Sequence, residues 1–107
     1  MNHPRDPNCL FCKIVAHEIP AKIAHEDDRV LAFHDIAPKA HVAGLSKTDA
    51  SHADLLGACI TAVAALARTL GLSSYRVVTN DGADAGQSVH HLHFHLMGGR
   101  SFSWPPG

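Results

Sequence analysis

The segment HHLHFHLMGG, residues 90 to 99, constrains this chain more than any other. Imidazole and apolar side chains alternate in it with a period of two, which belongs to an extended strand and not to a helix. On such a strand His91, His93 and His95 share one face, while His90, Leu92, Phe94 and Leu96 share the other. The second face reads mostly as core, so three imidazoles stand in a row on an exposed or cleft-lining surface. Neighbours in that row are about 6.5 to 7 Å apart and the outer pair about 13 Å. Zinc holds each nitrogen at about 2.0 to 2.1 Å, so the row alone closes a three-histidine metal site poorly. It can supply one or two metal ligands and leave the rest for chemistry. Imidazole is a nucleophile at neutral pH without a metal, and a neighbouring imidazole serves as general acid or base near pH 7.

The other patterns build a setting for this strand. CLFCKIVAHEIP carries Phe11, Ile14 and Val15 at helical spacing, which predicts a short helix stopped by Pro20. Strands follow over residues 21–26 and 29–35, joined as a hairpin by the acidic turn Asp27-Asp28; Val30, Ala32 and His34 alternate with Leu31, Phe33 and Asp35. Over residues 51–70, Leu55, Leu56, Cys59, Ile60, Val63, Leu66 and Leu70 recur at steps of three and four, predicting a long helix ended by Gly71. YRVVTN reads as a strand, DGADAG as a glycine-containing loop, and residues 88–97 as the histidine strand. The loop sets backbone N–H groups and the Ser88 hydroxyl just before that strand, where glycine lets the backbone approach phosphate oxygens closely.

Composition narrows the partners. A chain of 107 residues makes one domain, with a loose arm at residues 1–8 ahead of a single domain at 9–107. No uninterrupted apolar run nears the roughly 18 residues of a membrane span, and MNHPRDPN lacks the apolar stretch of a signal peptide, so a cytoplasmic location is expected. A net charge of -1 gives none of the basic footprint expected of nucleic-acid binding. Cys9 and Cys12 form a C-x-x-C at zinc-knuckle spacing that lacks two ligands, which points to metal or redox work, whereas Cys59 reads as a small buried residue on the long helix.

GQSVHHLHFHLMGGR, residues 86–100, resembles the histidine triad (HIT) proteins, whose signature of alternating histidines and apolar residues is met by His91-Leu92-His93-Phe94-His95-Leu96-Met97. FCKIVAHEIPAKI, EDDRVLAFHDI, YRVVTNDGADAGQS and the closing WPPG are similar to the Hint branch of that family, in the expected order. The resemblance implies an α+β fold, an antiparallel sheet with one long and one short helix, paired as a homodimer. It also implies hydrolysis or transfer at the α-phosphorus of a purine nucleotide through a nucleotidyl-histidine intermediate, with no cofactor required for catalysis. By the same resemblance His93 is the nucleophile, and His95 contacts the phosphate and helps the leaving group. Asn80, Gly86, Gln87 and Ser88 border the phosphate, Asp35 holds the ribose hydroxyls, and Phe11, Ile19, Phe33 and Ile36 line the base and sugar pocket. Many bacterial members complete a structural zinc site with Cys9, Cys12, His41 and His91 in this numbering.

A histidine at the position of His95 favours hydrolysis over nucleotidyl transfer, and the GGR and WPPG endings favour nucleoside 5'-phosphoramidates over dinucleoside polyphosphates. A nucleotide-binding or interaction module with little catalysis is the reading of a different class, and a zinc enzyme using His91 and His93 as a metal pair is a third. One departure stands out. About ten residues are missing between Ala40 and His41, where family members carry a buried central strand with a further histidine. An omitted segment is the expectation, because everything after His41 matches undisturbed; reading His41 itself as the strand histidine fails, since VAGLSK does not continue as an apolar strand.

Overall fold

The computed structural model describes residues 3–33 and 35–107. Helix α1 (Leu10–Val15) is capped by the Cys9 side chain, which accepts from the Cys12 N–H. It ends where His17 turns left-handed, with φ 60°: Glu18 N–H donates to the Lys13 carbonyl at 2.8 Å and His17 N–H to that of Ile14 at 3.0 Å. These two bonds close a Schellman motif. The helix thus stops well before Pro20, which corrects the prediction that the proline ends it.

Strands β1 (His25–Glu26), β2 (Val30–Ala32) and β3 (Ile36–Pro38) form an antiparallel sheet in chain order. The predicted acidic turn is present: Asp27 Oδ1 accepts from the N–H groups of Arg29 at 2.8 Å and Val30 at 2.9 Å, and Glu26 pairs with Leu31. Both predicted strands are shorter than expected. The second ends at Ala32 because the chain folds straight back, Ala32 facing Ile36 in register, so β3 arises where no strand was predicted. His34, assigned to the alternation, lies outside the described residues. Strand β2 is buried on both faces: Val30 and Ala32 pack toward the long helix, and Leu31 toward α1. Burying a side chain such as Leu31 stabilises the fold by about 1.5–3 kcal/mol.

The long helix, α2 (Ala53–Thr69), begins after a 3-10 turn in which Asp49 and His52 form a capping box. Gly71, φ 70°, ends it as predicted, its N–H donating to Arg68 while Leu72 N–H donates to Ala67, each at 3.0 Å. Cys59, Ala62, Val63 and Ala67 form the buried stripe. Ile60 and Leu70, placed on the core face by spacing, are 50% and 61% exposed, so the apolar pattern is wider than the surface it covers. By length and composition the helical stretch Ala50–Thr69 also meets the measure of a membrane-spanning helix, a resemblance the search for an uninterrupted apolar run overlooks.

Strands β4 (Tyr75–Val78) and β5 (His95–Gly98) form a second antiparallel pair, Val78 opposite His95. One bridge, Ile36 to Phe94, joins the two sheets. The histidine strand predicted over residues 88–97 is therefore regular only from His95. Before it, Leu92 N–H donates to the Val42 carbonyl at 2.6 Å and Thr79 Oγ1 to the His93 carbonyl at 2.7 Å. After β3, Lys39 N–H donates to the Arg29 carbonyl and His41 N–H to that of Pro4, each at 2.7 Å, and the short β3 lies against Phe94.

Candidate functional site

Four ligand atoms converge where α1, the bend after β3 and the histidine segment meet. Cys9 and Cys12 Sγ and the ring nitrogens of His41 and His91 all lie within 4.8 Å of one another. A zinc tetrahedron with Zn–N about 2.0–2.1 Å and Zn–S about 2.3 Å has edges of about 3.3 Å between nitrogens and 3.5 Å between nitrogen and sulfur. Here His41 Nδ1 is 3.2 Å from His91 Nδ1, Cys12 Sγ is 3.3 Å from His41 Nδ1, and the two sulfurs are 3.4 and 3.6 Å from His91 Nδ1. These lengths fit the ion. His91 Nε2–H donates to the Pro38 carbonyl at 2.8 Å, which turns its Nδ1 lone pair toward the sulfurs, the usual outer support of a ligating histidine. Burial lowers the His91 pKa to about 4, keeping it in the neutral form that ligates. Burial also pushes the Cys12 thiol up, so metal entry must displace its proton. The arm contributes as well: Asp6 N–H donates to Cys12 Sγ at 3.4 Å, and Arg5 pairs with Glu18 at 2.8 Å.

Of the two settings alternation allowed for the histidine row, an exposed face or a cleft lining, the open face is excluded. His91 is fully buried and His93 only 7% exposed, because Phe11 comes down from α1 to cover them. The Phe11 ring stands edge-on to His93 at 4.9 Å and to Phe33 at 5.1 Å, centroid to centroid. His93 Nδ1–H donates to the His91 carbonyl at 2.6 Å, so in the neutral ring Nε2 carries the lone pair. His95 is half-buried, its Nδ1 2.8 Å from Asp35 Oδ1 as a close ion-pair approach. Its ring stands at 87° to that of His93, 5.1 Å away.

The residues assigned to phosphate fall into different environments. Gln87 is buried, its Nε2 donating to the carbonyls of Ala43 at 2.7 Å and Val89 at 3.1 Å, its Oε1 accepting from Gly82 N–H at 2.8 Å. Its amide fastens the glycine loop to the 43–47 segment. Gly86 is left-handed, φ 94°; Asn80 Nδ2 lies beside it, and Ser88 is exposed. Two residues that the sequence reading missed complete this junction. Asp81 Oδ1 accepts from Ser46 N–H at 3.0 Å, and a Cβ on Gly44 would lie 2.4 Å from that oxygen. The glycine in HVAGLSK was their one signal.

Of the residues assigned to the base and sugar, Phe11, Ile19 and Phe33 gather in the α1 cluster, whereas Ile36 packs in the α2 cluster. Phe33 and Ile36 do line one cavity of about 300 Å³ with Leu66 and Leu96. Asp35, assigned to the ribose by the resemblance, sets one carboxylate oxygen 2.8 Å from His95 Nδ1.

Residues 16–102 match the HIT domain family. The adenylylsulfatase HINT1 of Arabidopsis thaliana is 42% identical over 117 residues, covering 97% of this chain and 80% of that protein. That alignment is longer than the 107-residue chain, so at least ten of its positions have no residue here, in keeping with the missing strand. A 14 kDa zinc-binding protein of Zea mays is 42% identical over 95% of this chain and 90% of its own length. A HIT family hydrolase from Legionella pneumophila superposes with a TM-score of 0.91 at 41% identity, covering 94% of this chain and 100% of that one. Histidine signature, domain match and shared fold together place the chain in the HIT family, in its Hint-like branch.

Proposed function

We propose that this protein is a nucleotide hydrolase that cleaves purine nucleoside 5'-phosphoramidates, AMP joined to an amine, through a nucleotidyl-histidine intermediate on His93. The observation that carries the reading is the 2.6 Å bond from His93 Nδ1–H to the His91 carbonyl, which leaves Nε2 as the nucleophilic nitrogen. In the first step Nε2 attacks the α-phosphorus, the P–N bond to the amine breaks, and its electron pair leaves on nitrogen. Protonated His95 gives that nitrogen its proton. In the second step water attacks phosphorus, the bond to His93 breaks, His95 takes a proton from water, and AMP departs. The adenylyl group is supported by the Arabidopsis relative's name, and the apolar cavity at Phe33 and Ile36 offers a place for the base.

Cys9, Cys12, His41 and His91 would hold a structural zinc. Bound there, the ion supplies a cross-link between α1 and the histidine segment and keeps both thiols deprotonated. Phe11 lies between the two cysteines, so the same cross-link seats its ring on His93. A homodimer is proposed across the free edge of β4, where Tyr75 and Val77, with Met97 beside them, are 37–42% exposed. Assays with adenosine 5'-phosphoramidate test the reading. Turnover by the wild type with release of AMP and amine is expected; AMP binding without turnover would favour a nucleotide-binding module, which the burial of His93 would then explain.

A further inference from the structure

We propose that Pro4, Arg5 and Asp6 form a strap that holds the metal ligands together, so that the stretch expected to be a loose arm works as part of the metal centre. The proposal rests on the reading of Cys9, Cys12, His41 and His91 as zinc ligands above. Within three residues the main chain bonds to three of those four. The Pro4 carbonyl accepts from His41 N–H at 2.7 Å and the Asp6 carbonyl from Cys9 N–H at 3.1 Å, while Asp6 N–H donates to Cys12 Sγ at 3.4 Å. His91, the fourth, is held instead by the Pro38 carbonyl.

The sequence PRDPN explains how so short a stretch does this. Pro4 has its φ fixed and Pro7 biases Asp6 toward extended backbone, so less chain freedom is lost when the strap forms. Asp6 Oδ1 accepts from Asn8 N–H at 2.8 Å, an Asx turn that leads into the Cys9 cap of α1. Arg5 reaches Glu18, beyond the far end of α1, at 2.8 Å, but the two side chains are 42% and 52% exposed. Such pairs contribute little, so the main-chain bonds decide. With zinc bound, Cys12 Sγ is a thiolate, and a hydrogen bond to a charged acceptor is about twice as strong as one between neutral groups. The bond from Asp6 therefore strengthens when the metal is held. His3 and Arg5 also line a cavity of about 440 Å³ that reaches Cys12, which sets the strap beside the approach to this residue.

Chelator competition for zinc on the full chain tests the strap, using Asp6→Pro, which lacks the N–H, and Asp6→Ala, which keeps it but loses the Asx turn. Removing an outer partner of a metal ligand lowers affinity by about 10–100-fold. Zinc affinity should fall by that factor in Asp6→Pro and stay near the wild-type value in Asp6→Ala. Arg5→Ala, which cuts only the exposed pair, should lower it by less than about fivefold. An Asp6→Pro protein that holds zinc as tightly as wild type, or an Asp6→Ala protein that loses as much as Asp6→Pro, would overturn the strap and leave the zinc reading standing. A wild type that binds no zinc would overturn both. Amide hydrogen exchange of the zinc-loaded wild type gives an arm that needs no variant. The Asp6 and His41 amides should exchange well below open-chain rates; open-chain exchange at either one overturns the proposal.

Discussion

His93 Nδ1–H donates to the main-chain carbonyl of His91 at 2.6 Å, so the residue whose ring meets Cys9, Cys12 and His41 also holds the ring of the proposed nucleophile. His91 is fixed three times: Nε2–H on Pro38, Nδ1 facing the sulfurs, and carbonyl on His93. On the proposed reading, loss of a metal held there would reach the nucleophilic nitrogen through this one residue.

Zinc removal should first appear as lost stability. A ligand present at 1,000 times its Kd adds about 4 kcal/mol to a fold that alone binds it. We expect one zinc per chain by metal analysis, and a clear fall in Tm on prolonged chelation or with Cys12→Ser. Brief chelator treatment that abolished turnover at unchanged Tm would instead indicate a catalytic metal.

The three cysteines should differ in reactivity. Burial pushes the Cys59 thiol up to about 12, so at pH 8 it is protonated as well as inaccessible. Thiol titration of the zinc-loaded protein should proceed slowly, chelation should release Cys9 and Cys12, and Cys59 should react only in denaturant. Prompt labelling of Cys59 in the folded protein would contradict its place in the α2 core.

Acid should loosen the β1–β2 turn. The hydrogen bond from His25, then those from the Arg29 and Val30 N–H groups, hold the Asp27 carboxyl below its ordinary value. A depressed folded pKa contributes stability above the unfolded value of about 3.9 and loses it as pH falls through the folded value. The Tm difference between wild type and Asp27→Ala should hold from neutral pH to about pH 5 and shrink below about pH 4. A difference that grew in acid would contradict the sign.

The junction of residues 43–47 with the glycine loop is testable at Gly44. A methyl group there would press on Asp81 Oδ1, and Gly44→Ala should destabilise by about 1–3 kcal/mol, the usual range for overpacking. Denaturant melts of Gly44→Ala, Asp81→Ala and the double variant should show the two changes to be less than additive.

Much of this site is legible from local pattern. Alternation put His91, His93 and His95 in one row, the C-x-x-C announced two ligands, and Gly71 marked the end of α2. What alternation does not carry is the cover. Phe11 packs on His93 from a helix some 80 residues away in the chain, so a row that alternation left either exposed or lining a cleft is largely covered. Gln87 stands beside the phosphate by resemblance alone, and its bond to the Ala43 carbonyl, 44 residues away, is one that only the fold displays. His17 ends α1 in a left-handed turn that its residue type scarcely signals. Strand β3 depends on its pairing with β2 and on the bridge from Ile36 to Phe94, distant partners that no local pattern expresses.

The most direct measurement is mass analysis of protein rapidly quenched during turnover of adenosine 5'-phosphoramidate, with wild type and His93→Ala compared at equal zinc content and equal Tm. One adenylyl group on His93 of the wild type is expected, with neither adduct nor turnover in the variant. Undiminished hydrolysis by His93→Ala, or an adenylyl group on another residue, would contradict it.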